Sequence, residues 1–266
     1  MRLGAVHRLS PIFTASLMWL NGCGSADKIV LQEFSEKVYT LEPNANISIY
    51  NQNGAILVYG SSLNEMRVQS LKKAYSHERL NQIAIDVSTQ PGAVSVVAKI
   101  PPRPKWSFRD FSGTVDCTIV VPATTSISAL DLNAGEVLLD NMHGREVHAR
   151  LGDGRISARN CFTNLDVTMK RGTLTLAFDW WEKDKFSAQV NVGQGNAWVF
   201  LPTEAGFHLL ARAAHGKIAN DFNNLPLAAN SFPREMKIDQ VINGGGSATI
   251  NIRVENGDIK IGETNP

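Results

Sequence analysis

The sequence predicts an all-β protein, in which short strands stack into a β-solenoid or a right-handed β-helix-like fold. Three observations predict it: glycines recur at a period near 20 residues, apolar and polar residues alternate around them, and hydrophobic residues make up 43% of the chain. From Gly135 onward the steps between these glycines are 19, 18, 23, 21 and 41 residues. The aligned glycines are Gly54, Gly135, Gly154, Gly172, Gly195, Gly216 and Gly257.

The offsets from each aligned glycine predict which side chains are buried. The inward positions lie three residues before and two after the glycine, so the glycine marks a corner of the chain. Successive strand side chains point to opposite faces, which gives each strand one buried and one solvent face. The positions two after the glycine are Ile56, Val137, Ile156, Leu174, Ala197, Ile218 and Ile259, and the outward positions four before it include Asp131, Arg150, Thr168, Asn191, Arg212 and Arg253.

The N-terminal half, residues 28–125, has a weaker period and is expected to cap the stack or to form its first coils. A helical turn is expected only within 75–82, and one degenerate turn is expected near 222–243. Strands are predicted at 46–50, 55–59, 66–72, 82–88, 93–100 and 114–121.

The N-terminus is expected to be a secretory signal. Arg2 and Arg8 precede an apolar stretch, residues 9–20, that is shorter than the roughly 20 residues of a spanning helix. It ends in Leu20-Asn21-Gly22-Cys23, which resembles the bacterial lipobox. That resemblance implies cleavage before Cys23 and a lipid on its thiol, and Gly24 resembles the signal for sorting to the outer membrane. We therefore expect a signal peptide at 1–22, an anchor and linker at 23–34, and a repetitive all-β domain at 35–262.

Two further cysteines, Cys117 and Cys161, remain in the predicted domain. An exported protein meets an oxidising compartment, so the sequence allows a disulfide between them. The alternative is a pair of buried apolar thiols, which are common in protein cores.

Two stretches resemble the bacterial domain of unknown function numbered 4097, a family of adhesin-like proteins. Residues 47–58, which read ISIYNQNGAILV, carry the first part of the resemblance. The closing segment carries the more specific part, with NGGGSATI at 243–250 and NGDIKI at 256–261. The resemblance implies a β-helix-like fold at the cell envelope and a surface for binding, and it implies no catalytic residue.

Composition and motifs argue against several kinds of chemistry. The 26 basic and 25 acidic residues leave a formal net charge of +1, which does not favour nucleic acid as a partner. Histidine pairs at helical metal-site spacing, a Cys-x-x-Cys motif, a hydrolase elbow and a phosphate loop are all missing, so we expect no metal, no cofactor and no enzyme. Asp131 and Asp166 both point outward but at different offsets, which favours a solvated face over an acid–base pair.

The best candidates for recognition are tryptophans in loops. Trp180 and Trp181 lie in the longest unit, and Trp106 lies beside Lys105 in a second loop. An exposed ring offers a flat face to a sugar or a protein. The alternative is that the 180–181 loop folds back and covers the edge of the stack.

Together these features predict a non-enzymatic cell-envelope lipoprotein that presents a β-solenoid surface for binding or adhesion. Its expected partners are the membrane, through the lipid anchor, and an envelope protein or glycan. Two alternatives stay open: a structural component of an envelope complex, and a carbohydrate-active β-helix enzyme. The enzyme would need acids that converge on one face.

Overall fold

Alternating β-branched and polar residues form long strands throughout the computed structural model, which describes residues 30–42, 44–101, 113–222 and 236–264. This part of the chain contains fifteen strands and one short helix. The elements are β1 Leu31–Thr40, β2 Asn46–Ser61, β3 Glu65–Ala74, α1 His77–Gln82, β4 Ala84–Gln90, β5 Ala93–Lys99, β6 Thr114–Pro122, β7 Ser126–Asp140, β8 Glu146–Arg159, β9 Asn164–Ala177, β10 Ser187–Leu201, β11 Phe207–His215, β12 Ile218–Asn220, β13 Met236–Ile242, β14 Thr249–Asn256 and β15 Ile259–Glu263.

The strands form one large mixed sheet, which confirms the all-β class. Its main order is β1-β3-β6-β2-β7-β8-β9-β10-β14-β11-β13, with β4, β5, β12 and β15 paired beside this path. The pairs from β6 through β2, β7, β8, β9, β10 and β14 to β11 are parallel, and antiparallel strands flank them at both ends. The sheet has free edges at β1 and β13, so the described part does not close on itself.

The aligned glycines form a column at the corners of the long strands. Gly54, Gly135, Gly154, Gly172 and Gly195 pair laterally, each with the next. Their φ angles lie between 122° and 139°, where a residue with a Cβ is strained. All seven residues two positions after the aligned glycines are buried, as the offsets predict. The regular spacing of these glycines along the chain therefore sets the register in which the parallel strands β2, β7, β8, β9 and β10 pair.

The order of the units in space differs from their order in the chain. The last unit, β14 and β15, lies between β10 and the unit formed by β11 and β12. Of the segment 222–243, near which a degenerate turn is expected, the structure describes 222 and 236–243, and there β13 runs antiparallel to β11. At this end, the parallel part of the sheet is therefore followed by an antiparallel strand, β13.

At the other end, where a cap or the first coils are expected, β1, β3 and β6 pair antiparallel, and the single helical turn α1 lies within the predicted 75–82. The sequence prediction missed β1, which begins at Leu31 inside the segment expected as a linker. A β-solenoid and a right-handed β-helix are both finer statements than this topology establishes, and both stay predictions. The signal segment 1–22 lies outside the described residues.

Candidate functional site

A row of polar side chains crosses the parallel part of the sheet on its outer face. Each member lies four residues before a corner glycine, and the registers of the strands set these positions side by side. Neighbouring strands lie about 4.8 Å apart, so the row spans six strands over about 24 Å. In spatial order the row is Asp131, Arg150, Thr168, Asn191, Arg253 and Arg212.

A depression with a volume of about 650 Å³ runs along this row. Gly152 and Gly193 lie two residues before the corner glycines of β8 and β10, and they have no side chain that would fill the depression. A Cβ on Gly152 would lie 2.2 Å from the carbonyl oxygen of Asn133, so close packing of backbones also requires glycine there. A second depression of about 330 Å³ adjoins the first and reaches Lys237 on β13. We call the two together the cross-strand groove.

The charged side chains that line the cross-strand groove at its β13 end are all basic. Lys237, Arg212 and Arg253 lie directly side by side on β13, β11 and β14, and all three are exposed. Like charges placed opposite each other on a sheet repel and destabilise it. Lys170 and Arg150 line the same groove, and the acidic side chains in its lining are Asp131 and Glu255.

Elsewhere on the sheet, basic residues have acidic neighbours across the strands. Arg159 donates two hydrogen bonds to the carboxylate of Asp140, at 3.1 and 2.8 Å. Arg171 lies 3.1 Å from Asp153 in the same manner. By contrast, Arg253 forms no ion pair with any residue that the structure describes. At the β13 end of the groove, the lateral pairing of opposite charges thus gives way to three adjacent cations, Lys237, Arg212 and Arg253.

The acids of the enzyme hypothesis are not brought together. Asp131 lines the groove, whereas Asp166 lies in the row two positions further from the corner and faces His148, with its carboxylate 3.6 Å from Nδ1. His148 Nε2 also lies 3.5 Å from Glu146, whose pKa is lowered mainly by the hydrogen bond from Arg145. Asp166 thus lies in a surface cluster with His148 and Glu146, on a different row from Asp131.

The two adjacent tryptophans of the 178–186 loop face different surroundings. Trp181 folds back onto the end of the core, with its ring 5.4 Å from that of Phe178 and 5.3 Å from that of Phe186. Trp180 is 44% exposed, and its indole N–H donates to Glu182 at 3.1 Å. The loop therefore covers the end of the strands through Trp181, and recognition by Trp180 stays a prediction.

Trp198 is an aromatic candidate that the sequence analysis missed. It lies on β10 with 41% of its surface exposed. The signal was available, because Ala197 and Val199 take the inward positions and leave Trp198 outward. The predicted sites at Trp106 and Cys23 lie outside the described residues.

The structure does not contain the disulfide that the sequence allowed. Cys117 on β6 and Cys161 after β8 are both buried and free. Two strands, β2 and β7, lie between β6 and β8, so three strand spacings of about 4.8 Å separate the two elements, too far for a bridge. Burial raises the pKa of each thiol to about 12.

The described residues contain no group of three or more His, Cys, Asp or Glu side chains that could hold a metal ion. None of their helices is long and apolar enough to cross a membrane.

Comparisons with known proteins identify a shared fold. No protein-family model matches the chain, and no curated protein matches it. Among solved structures, a "putative cell adhesion protein" from Clostridium sporogenes is 15% identical, covers 87% of this chain and 100% of its own, and superposes with a TM-score of 0.50. A "putative adhesin" from Bacteroides fragilis is 8% identical over 87% of this chain and 97% of its own, with a TM-score of 0.31. The first similarity shows the fold alone.

Proposed function

We propose that this protein is a non-enzymatic lipoprotein of the cell envelope that presents the outer face of a β-solenoid for binding or adhesion. The observation that carries the proposal is the cross-strand groove, which crosses six strands of the sheet along a row of polar side chains. Rigid strands hold binding side chains in fixed positions, which lowers the entropic cost of binding an extended ligand.

The solenoid interpretation rests on the stacking of equivalent strands. β7, β8, β9 and β10 pair in parallel, and each bends at its aligned glycine. The superposed structure from Clostridium sporogenes is named for cell adhesion, which agrees with a binding role at the envelope.

The lipid anchor would hold the groove near the membrane. Six residues lie between Cys23 and Val30, the first described residue, and the seven steps from one to the other reach at most about 25 Å when fully extended. Lipid chains would supply the membrane affinity, so the folded domain itself need not insert.

A structural role in an envelope complex is a second candidate, favoured by the free edge of the sheet. On β1, the side chains of Phe34 and Val38 point the same way and are 62% and 53% exposed. An exposed apolar edge strand is a typical site for pairing with another chain.

The anchor is tested by comparing the full chain with its Cys23→Ser variant in fractionated cells and by mass spectrometry of the mature N-terminus. We expect a diacylglyceryl adduct and membrane recovery for the first protein only. A Cys23→Ser protein that stays acylated and membrane-bound contradicts the lipoprotein proposal.

Binding is tested by co-sedimentation of the purified full chain, in detergent, with envelope fragments. The same mixtures are assayed for shortened polysaccharide chains. We expect retention on the fragments and no cleavage. Cleavage would refute the non-enzymatic proposal, and no retention would refute binding.

A further inference from the structure

We infer that the cross-strand groove binds a carboxylate-bearing polysaccharide, with the row of Lys237, Arg212 and Arg253 as its anionic subsite. This inference rests on the proposed binding function and names its ligand class. It follows from the charge of the groove, its shape and the chemistry of its remaining side chains.

The charge is the first argument. The three basic residues occupy adjacent strands at about 4.8 Å spacing, with no acid in their row between them. An anion that lies between these cations is attracted to each of them and offsets the repulsion between neighbouring ones. Arginine forks suit carboxylates, because they form two parallel hydrogen bonds with them.

The length of the groove favours a polymer over a small anion. Beyond Arg253 the row continues through Asn191 and Thr168 to Arg150, so a second basic group lies three strands away from the first set. A single small anion contacts one end only. A linear chain with acidic groups along its length contacts both.

The neutral groups favour a sugar over a nucleic acid. Asn191, Thr168 and Asn251 offer both donors and acceptors that suit hydroxyl groups. The lining contains no aromatic side chain, whereas single-stranded nucleic acid is held largely by bases stacked on aromatic rings. An acidic polysaccharide matches both the charged and the neutral part of this lining.

The test measures binding of the purified full chain in detergent to fluorescent oligogalacturonate, neutral malto-oligosaccharide of equal length and single-stranded DNA, at two salt concentrations. The key variant is Arg253→Glu, and the matched control is Lys37→Glu, an equal charge change at an exposed site on β1. We expect the oligogalacturonate to bind best and more weakly at high salt, with a loss of about tenfold or more in Arg253→Glu and little change in Lys37→Glu.

A thermal unfolding curve accompanies each variant, because Arg253→Glu replaces a repulsive neighbour of Arg212 with an attractive one. We expect its midpoint to equal or exceed that of the parent protein, which separates lost binding from lost structure. Arg253→Gln serves as a second variant with the same expected direction of binding loss.

Several results would overturn the inference. Equal binding of neutral and acidic sugars, equal losses in Arg253→Glu and Lys37→Glu, stronger binding of DNA, or no binding of any probe each refutes the acidic-polysaccharide groove. The wider binding proposal is tested separately, and it fails if the parent protein is not retained on envelope fragments. If Arg253→Glu is still retained on the envelope fragments, the binding proposal stands, but the groove is not the binding site.

Discussion

Replacement of Gly154 by alanine tests whether the glycine column holds the stack in register. Gly154 lies in the centre of β8 with φ of 139°, between Gly135 and Gly172 on the flanking strands. A Cβ at this position would lie 1.8 Å from the carbonyl oxygen of Gly135, well inside the 3.0 Å below which Cβ atoms are essentially never found. The added methyl group therefore meets backbone, which cannot rotate away as a side chain can.

The expected cost has two parts. The backbone conformation itself costs a non-glycine residue about 1–3 kcal/mol. To relieve the overlap, β7 and β8 must separate by more than 1 Å (from 1.8 to 3.0 Å) or lose the ladder hydrogen bonds on either side, each worth about 1 kcal/mol. Together these predict a loss of about 3–5 kcal/mol in the free energy of unfolding, or roughly 10 °C in Tm for a domain of this size.

Urea and thermal unfolding of the parent protein, Gly154→Ala and Gly244→Ala measure this cost. Gly244 also has a positive φ, 72°, but no atom within 4 Å of its ideal Cβ, so alanine there should cost only about 1 kcal/mol. If both variants lose the same small amount, the close approach of the strands does not constrain the fold and the reasoning is refuted.

Three further outcomes follow from buried side chains. Trp181→Ala should lower the free energy of unfolding by about 2–4 kcal/mol, because the Trp181 ring packs on the core. Trp180→Ala should lower it by less than about 1 kcal/mol, because Trp180 is exposed. Equal losses for the two variants in urea titrations would contradict this placement of the loop. Cys117 and Cys161 should resist a thiol reagent in the native protein at pH 8 and react once it is unfolded; fast native labelling would contradict their burial. Folding raises the pKa of both thiols from 9.0 to about 12, so the unfolded chain loses these protons first as the pH rises. The free energy of unfolding should therefore fall between pH 9 and 12, and it should fall less steeply in Cys117→Ala than in the parent protein. Equal slopes of the free energy of unfolding against pH would count against the raised pKa.

The corners and the buried face of the stack could be predicted from the sequence because both depend on local rules. A bent strand needs a residue without Cβ where backbones touch, and an alternating strand needs apolar residues at fixed offsets from that point. Val137 and Ile156 are buried at the same offset from Gly135 and Gly154, as that rule requires. β1 escaped prediction because nearly all of its side chains are exposed on both faces, so its sequence lacks the alternation of a half-buried strand.

The tryptophan loop could be predicted only in part. The extra length of its unit indicated an insertion, but not the direction in which the insertion folds. That direction depends on Phe178 and Phe186 at the two ends of the loop and on Phe207 of β11, whose rings surround Trp181. Asn160 then holds the start of the loop, since its side chain accepts a hydrogen bond from the N–H of Asp179 and donates one to its carboxylate, at 2.8 and 2.9 Å. No local pattern encodes contacts of this kind.

The cross-strand groove also depends on contacts between segments that lie far apart in the sequence. Arg212 and Arg253 share an offset in the repeat, but 41 residues separate them and nothing in the repeat says that their strands are neighbours. They become neighbours because the chain reverses through β13 and returns to place β14 between β10 and β11. The same reversal brings Lys237 to the other side of Arg212. A regular stack that followed chain order would set Arg212 beside Asn191 and leave Arg253 about two strands further away. The row of three cations, on which the inferred ligand depends, therefore exists because the final unit of this repetitive chain is inserted out of order.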